Sequence, residues 1–270
     1  MQRKPVILIA ATLAVAILSG GCDKLRARDQ LNKGVEAFSS GQFDQAIEHF
    51  KSAQQYDPTL TNARLYLAAA YTQQYVPGVP SKENVRNGEE AVKINKDILS
   101  GDPNNLSAID NLGSLLFNMA SRPLDPKGMG DAKAFHQKHI ELSPNDPSPY
   151  YWVGVIDWSL AHNDNVNLRD QYNRSSKKQI RDSDPLPPAL LSQFSQKNGQ
   201  IVDEGMNALN KAIQLNPSYS DAMSYLNLLY RQKADMETSP AAREEDLKAA
   251  NDLVDKAKAI KQTQQASPNS

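Results

Sequence analysis

Two histidines three residues apart, His136 and His139, are the first residues whose spacing could do chemistry. On a helix they share a face, and imidazole is a common zinc ligand. A metal site needs three or four ligands, and the remaining histidines, His49 and His162, fall in distant segments. The pair therefore reads as helix-packing residues. Asp157 and Asp164, on either side of Trp158, are the next candidates, as carboxylates for acid–base work. Their plainer reading is a helix end, with Asp164 and Asn165 as loop formers. No G-x-S-x-G, H-E-x-x-H or G-x-x-x-x-G-K-[ST] motif is present. These residues predict no catalytic centre, no metal site and no cofactor, so the chain reads as a non-enzyme.

Cys22 is the one cysteine in 270 residues, which excludes an internal disulfide. It closes the stretch MQRKPVILIAATLAVAILSGGC. Arg3 and Lys4 supply a positive start, an apolar run covers 6–18, and small residues Ser19, Gly20 and Gly21 follow. That is export-signal architecture, and the apolar run is short for a bilayer span. A Cys directly after two glycines resembles a bacterial lipobox, although Ser19 stands where the box usually carries Leu. The resemblance implies that 1–21 is a signal peptide and that Cys22 becomes lipidated. Such an anchor holds a protein to a membrane without crossing it. The expected location is the bacterial cell envelope, facing the periplasm.

Lys and Arg number 30 against 31 Asp and Glu, a net charge of -1. So balanced a chain has no global field for nucleic acid. The single basic cluster, RSSKKQIR from Arg174 to Arg181, reads as a solvated loop partly neutralised by Asp182 and Asp184. Few aromatics and glycines, with abundant Ala, Leu, Lys and Gln, favour helices over strands.

The elements that would carry these residues show themselves as a repeat. ARDQLNKGVEAFSSGQFDQAIEHFKSAQQYDP, from Ala27 to Pro58, places Gly34 at a tight helix crossing and Gly41 at a turn. Phe43, Ala46, Phe50 and Ala53 follow at helical spacing. Asp57-Pro58 ends the second helix, because a residue before Pro is pushed out of the helical region. Related endings recur at Asp102-Pro103, Ser143-Pro144 and Asn216-Pro217. First-helix patterns follow them: ARLYLAAAY, AIDNLGSLLF with Gly113, YYWVGVIDW with Gly154, and AMSYLNLLY. The stretch closely resembles one tetratricopeptide (TPR) repeat, a helix-turn-helix unit of about 34 residues. The resemblance implies an all-α solenoid over 23–260 with about five repeats, at 27–60, 61–105, 106–146, 147–219 and 220–260. Residues 261–270 read as a disordered tail.

From the second repeat on, the turn inside the repeat is stretched, most of all between Trp158 and Val202. These insertions predict a fringe of loops along one edge, although 188–200 could extend the following helix. The style of YVPGVP, GVIDW and YLNLLYRQKAD resembles a group of bacterial envelope TPR proteins with lengthened turns, and implies a binding scaffold. Carrying TPR groove positions over implies a peptide-binding surface of Arg28, Val35, Phe38, Asn62, Leu65, Asp110, Phe117, Tyr151, Val155, Trp158, Leu228 and Arg231. Leu31 and Val35 stand where TPR co-chaperones that grip a carboxylate carry polar residues, which implies docking through apolar anchors. Trp158 with Tyr151 is the expected aromatic anchor. The function so implied is protein–protein interaction at the envelope, with a protein or peptide partner and no nucleic acid. The alternatives are a subunit of an outer-membrane assembly or pilus-biogenesis machine, and a self-associating scaffold.

Overall fold

The computed structural model describes residues 6–266, with side chains from 21 to 265. Ten helices follow one another among the described residues, two for each predicted repeat. They fall into two compact units, Met1–Met119 and Ala120–Ser270.

In the first unit α1 (Val6–Ser39), α2 (Phe43–Tyr56), α3 (Thr61–Gln74) and α4 (Lys82–Gly101) pack each against the next. α5 (Leu106–Ser121) follows, and its last two residues fall in the second unit. Alanines let the helices approach, and Phe50 fills the space between them, fully buried with Ala46, Ala53 and Ala70. A Cβ on Gly34 would run into the Phe50 ring, which is why the crossing needs glycine. Gly41 turns the chain between α1 and α2 with φ +73, a left-handed conformation that favours glycine. Asp57 sits extended at φ -140 and its Oδ1 accepts from Thr59 N and Oγ1. Asn216 ends α8 the same way with Ser218. The recurring X-Pro ending is thus a helix stop that also pins the turn after it.

The second unit holds α6 (Pro126–Leu142), α7 (Pro147–Ser175), α8 (Pro188–Leu215), α9 (Ser220–Ala234) and α10 (Pro240–Ala266). α7 is its centre, packing on α6, α8 and α9, and α10 lies on α9. Asp125 and Asp146 cap α6 and α7 by accepting from Lys127 N and Ser148 N. Each of α6, α7 and α8 has Pro in its first turn, where a missing N–H costs nothing.

The predicted fringe of loops is mostly helix. α7 runs seventeen residues past Trp158, to Ser175, and α8 begins at Pro188, well before Val202. The extension is stable because it buries two sides: Ala161 and Leu168 share a core with Phe194 and Val202 of α8, while Asn165 and Arg169 turn to Gln232 and Asp235 at the end of α9. Gly199 is accommodated within α8. α6 likewise begins at Pro126 inside the expected loop, and α10 continues through Ala266 where a disordered tail was expected. Residues 267–270 lie outside the described residues, as do Arg3 and Lys4 of the export signal. Among the described residues no helix is long and apolar enough to cross a membrane.

One long connection remains, the strap 176–187 between α7 and α8. It is the basic cluster's home. Arg174, Lys177, Lys178 and Arg181 are exposed, and Arg181 pairs with Asp184 at 3.0 Å, as a solvated loop should. Yet Ile180 and Leu186 are buried in the core of the unit. Asn173 holds Ile180 at both its N–H and its C=O, at 2.8 and 2.9 Å. The strap is therefore anchored, with its charges turned outward.

Candidate functional site

The residues first suspected of chemistry are structural. His136 and His139 are buried on α6, and His136 stacks on Trp152 with ring centroids 5.7 Å apart. Burial, and then the neighbouring His139, push the His136 pKa down to about 4. His139 Nε2 lies 3.4 Å from the Asp146 carboxylate. Among the described residues no three His, Cys, Asp or Glu side chains gather to hold a metal ion. Asp157 and Asp164 lie inside a helix, not at its end. Asp164 pairs with Lys197 across to α8 at 2.8 Å. Asp157 is fully buried and both its oxygens accept from Lys133 of α6, at 2.8 and 3.0 Å.

The predicted groove residues of the first unit are dispersed. Arg28 and Asn62 are exposed, while Val35 and Phe38 pack half-buried against the Phe50 core. Phe38 meets Phe43 and Tyr66 edge-on at 5.5 and 6.2 Å. Leu65, Asp110 and Phe117 are half-buried.

In the second unit the structure brings the predicted residues together. Tyr151 and Trp158 are two turns apart on α7 and lean on Tyr225 of α9, with centroids at 5.6 and 5.3 Å. Tyr219 closes on Tyr151 at 5.2 Å. The two edge-on contacts on Tyr225 add roughly 0.5–1.5 kcal/mol each beyond the area buried. Burial holds the Tyr151 hydroxyl protonated, its pKa pushed well up. Val155 is 1% exposed, so it supports this row from beneath and offers no surface. Trp158, Leu228 and Arg231 continue into a cavity of about 300 Å³, whose other walls come from the far half of α7, from α10 and from the strap.

The floor of that cavity escaped the sequence reading. Arg169 donates to Asp235 Oδ2 at 2.7 Å and to Asn165 Oδ1 at 2.7 Å, and reaches the strap carbonyls of Arg181 and Asp184. Asn165 Nδ2 donates to Gln232 and to Asp235, both at 2.9 Å. Arg243 of α10 donates to the Ser183 carbonyl at 3.0 Å. A buried network of this kind is costly unless every member is satisfied. Its signal was available: Asn165 and Arg169 continue the helical spacing that begins at Trp158. Their polar character made them look like a loop.

The fold defines a TPR-like helical-repeat protein. A tetratricopeptide repeat family model matches residues 37–74. No curated protein matches the chain. Solved structures do: a MamA protein is 17% identical, with TM-score 0.55, over 91% of this chain and 97% of that one. MamA from Desulfovibrio magneticus RS-1 is 14% identical, with TM-score 0.55, over 88% and 97%. YrrB, described as a TPR protein with an unusual peptide-binding site, is 16% identical, with TM-score 0.51, over 86% and 90%. At these identities the likeness is one of fold.

Proposed function

We propose that this chain is a non-enzymatic scaffold that holds another protein at the bacterial cell envelope. It grips a segment of that partner on the aromatic row Tyr151–Tyr225–Trp158 and in the cavity beside it. The observation that carries this reading is the row itself: large rings, half-buried on one face, running into a walled cavity. Aromatic residues ordered in this way make strong protein-binding anchors. The repeat match at 37–74 and the peptide-binding site named for YrrB support it. The lipobox-like sequence that ends at Cys22 supports a lipid anchor on its thiol, which is exposed on α1.

Affinity capture from detergent-solubilised envelopes tests the reading, with a Tyr151→Ala/Trp158→Ala double variant beside the unaltered chain. A specific protein recovered with the unaltered chain and lost with the variant supports it. Recovery of this chain alone replaces it with self-association, and a partner retained by the variant moves the site elsewhere. Mass spectrometry of the N-terminal peptide tests the anchor; an unmodified Cys22 thiol on the envelope-borne protein would remove it from the proposal.

A further inference from the structure

The charges around the cavity beside Trp158 do not balance. Three guanidinium groups line it, Arg169, Arg231 and Arg243, against two carboxylates, Asp182 and Asp235. Asp235 already serves two of the cations, Arg169 at 2.7 Å and Arg243 at 3.6 Å. Asp182 stands exposed on the strap, where water screens it. Arg231 is held by amide oxygens, Asn227 at 3.3 Å and Asn251 at 2.8 Å. Among the described residues no carboxylate lies within ion-pair distance of it. Its charge is therefore uncompensated.

Hydrogen-bond donors are in excess as well. Arg243 Nε and the Trp158 indole Nε1 are buried with no protein acceptor. A buried donor left without an acceptor costs about 1–3 kcal/mol. The neutral acceptors nearby each already take one donor, Asn165 Oδ1 from Arg169 and Gln232 Oε1 from Asn165. The cavity thus holds more cationic donors than carboxylates to receive them.

The geometry points to an acidic side chain, glutamate or aspartate, in an internal stretch of a partner protein, its carboxylate set beside Arg231 and Arg243. This deepens the scaffold reading and rests on it. The aromatic row leads away from the cavity through Tyr225 and Tyr151 to Tyr219. A segment with an apolar residue beside the acidic one lays the first on the row and the second in the cavity. The opposite orientation is disfavoured, because the far end of the row carries Asp146 and Asp221, which act on the Tyr219 hydroxyl. A cavity of about 300 Å³ has room for one such side chain and leaves the partner's backbone outside. This site is built by α7, α9, α10 and the strap, and uses neither Leu31 nor Val35, whose apolar character speaks against a carboxylate grip at the first repeat.

Binding of defined peptides to the whole chain tests the inference, read by NMR at the Trp158 indole N–H, assigned with Trp158→Phe. The probes are acetyl-Leu-Phe-Glu-Ala-amide, its Gln counterpart, and acetyl-Leu-Phe with a free chain-end carboxylate. A charge-assisted hydrogen bond predicts that the Glu peptide binds at least about tenfold tighter than the Gln peptide, a gap that shrinks in high salt. Arg231→Gln should close the gap while leaving the Trp152 indole resonance in place. Equal binding of Glu and Gln peptides overturns the acidic-side-chain inference and leaves the aromatic groove standing. Binding by the chain-end peptide alone reassigns the cavity to a terminus and also overturns it. Failure of all three at millimolar concentration removes both the inference and this groove. The Glu–Gln comparison uses the unaltered protein, so it decides the matter even if a variant misfolds.

Discussion

Lys133 and Asp157 form a buried ion pair that ties α6 to α7, with Nζ 2.8 Å from Oδ1. The same ammonium reaches Glu204 of α8 at 2.9 Å, so one cation holds three helices. Gly205 makes room, since a Cβ there would come within 2.8 Å of the Asp157 Cβ. Burial pushes the Asp157 pKa up to about 7, against the pull of Lys133 and with Glu204 adding to it.

A raised carboxyl pKa makes folding favour the protonated form. The folded state then binds more protons than the unfolded one between about pH 4 and 7. Asp157 thus contributes stability in full below pH 4 and loses it as pH rises through 7. Its contribution between those limits is on the order of a few kcal/mol. Thermal melts of Asp157→Asn should therefore lose stability on acidification from pH 7 to 4 relative to the unaltered protein. Parallel profiles for the two proteins would refute the assignment.

His136 acts in the opposite sense. Its pKa falls to about 4 in the fold, so its stabilisation is complete above about pH 6.5 and fades as pH drops toward 4. The two groups offset each other in the intact protein. His136→Phe should unmask the Asp157 trend, so that the variant gains stability on acidification from pH 7 to 5 relative to the unaltered chain. Chemical denaturation at a series of pH values reads the difference.

Removing Arg169 strands a buried carboxylate and unhooks the strap. Arg169→Ala should cost about 3–5 kcal/mol, the usual penalty for breaking a buried pair. Arg181 and Asp184 would lose their carbonyl anchor, and the exposed Lys177 and Lys178 nearby would become better trypsin sites. Limited trypsin digestion should therefore cut within 176–187 at least about tenfold faster in the variant. An unchanged cleavage map would mean that the Asn173 clamp alone fixes the strap.

Two glycines in long helices should respond with opposite signs. A Cβ at Gly154 would strike Leu209, and Gly154→Ala should destabilise by about 1–3 kcal/mol through overpacking. A Cβ at Gly199 meets nothing within 4 Å, so Gly199→Ala should stabilise by about 0.5–1 kcal/mol. Urea unfolding of both variants checks the pair of signs.

The repeat endings and small crossing residues made the helix-turn-helix fold legible. Gly34, Phe50 and Asp57-Pro58 each occupy places that the repeat's packing demands. The repeat register also put Tyr151 and Trp158 on one helix, where both pack on Tyr225. The lengthened turns misled because Asn165, Arg169 and Asn198 are polar, and polar residues between template helices look like loop. The buried positions of Asn165 and Arg169 become visible only when Asp235 and Gln232, over sixty residues later, supply the partners, whereas Asn198 turns back to the Phe194 carbonyl of its own helix. The helical spacing was there, but polar character masked it, because the groups that satisfy these side chains lie far along the chain.

The length of α7 and α8 bears on how the second unit assembles. They are neighbours in sequence, they lie against each other over most of their length, and only the strap separates them. Contacts this local close cheaply and early in folding. The antiparallel pair is the natural nucleus of the unit, with α9 and α10 adding onto a preformed surface. The walls of the cavity from α9 and α10 are then the last to arrive. In hydrogen exchange the amides of α10 should open well before those of α7, so the proposed cavity would loosen from its α10 wall first.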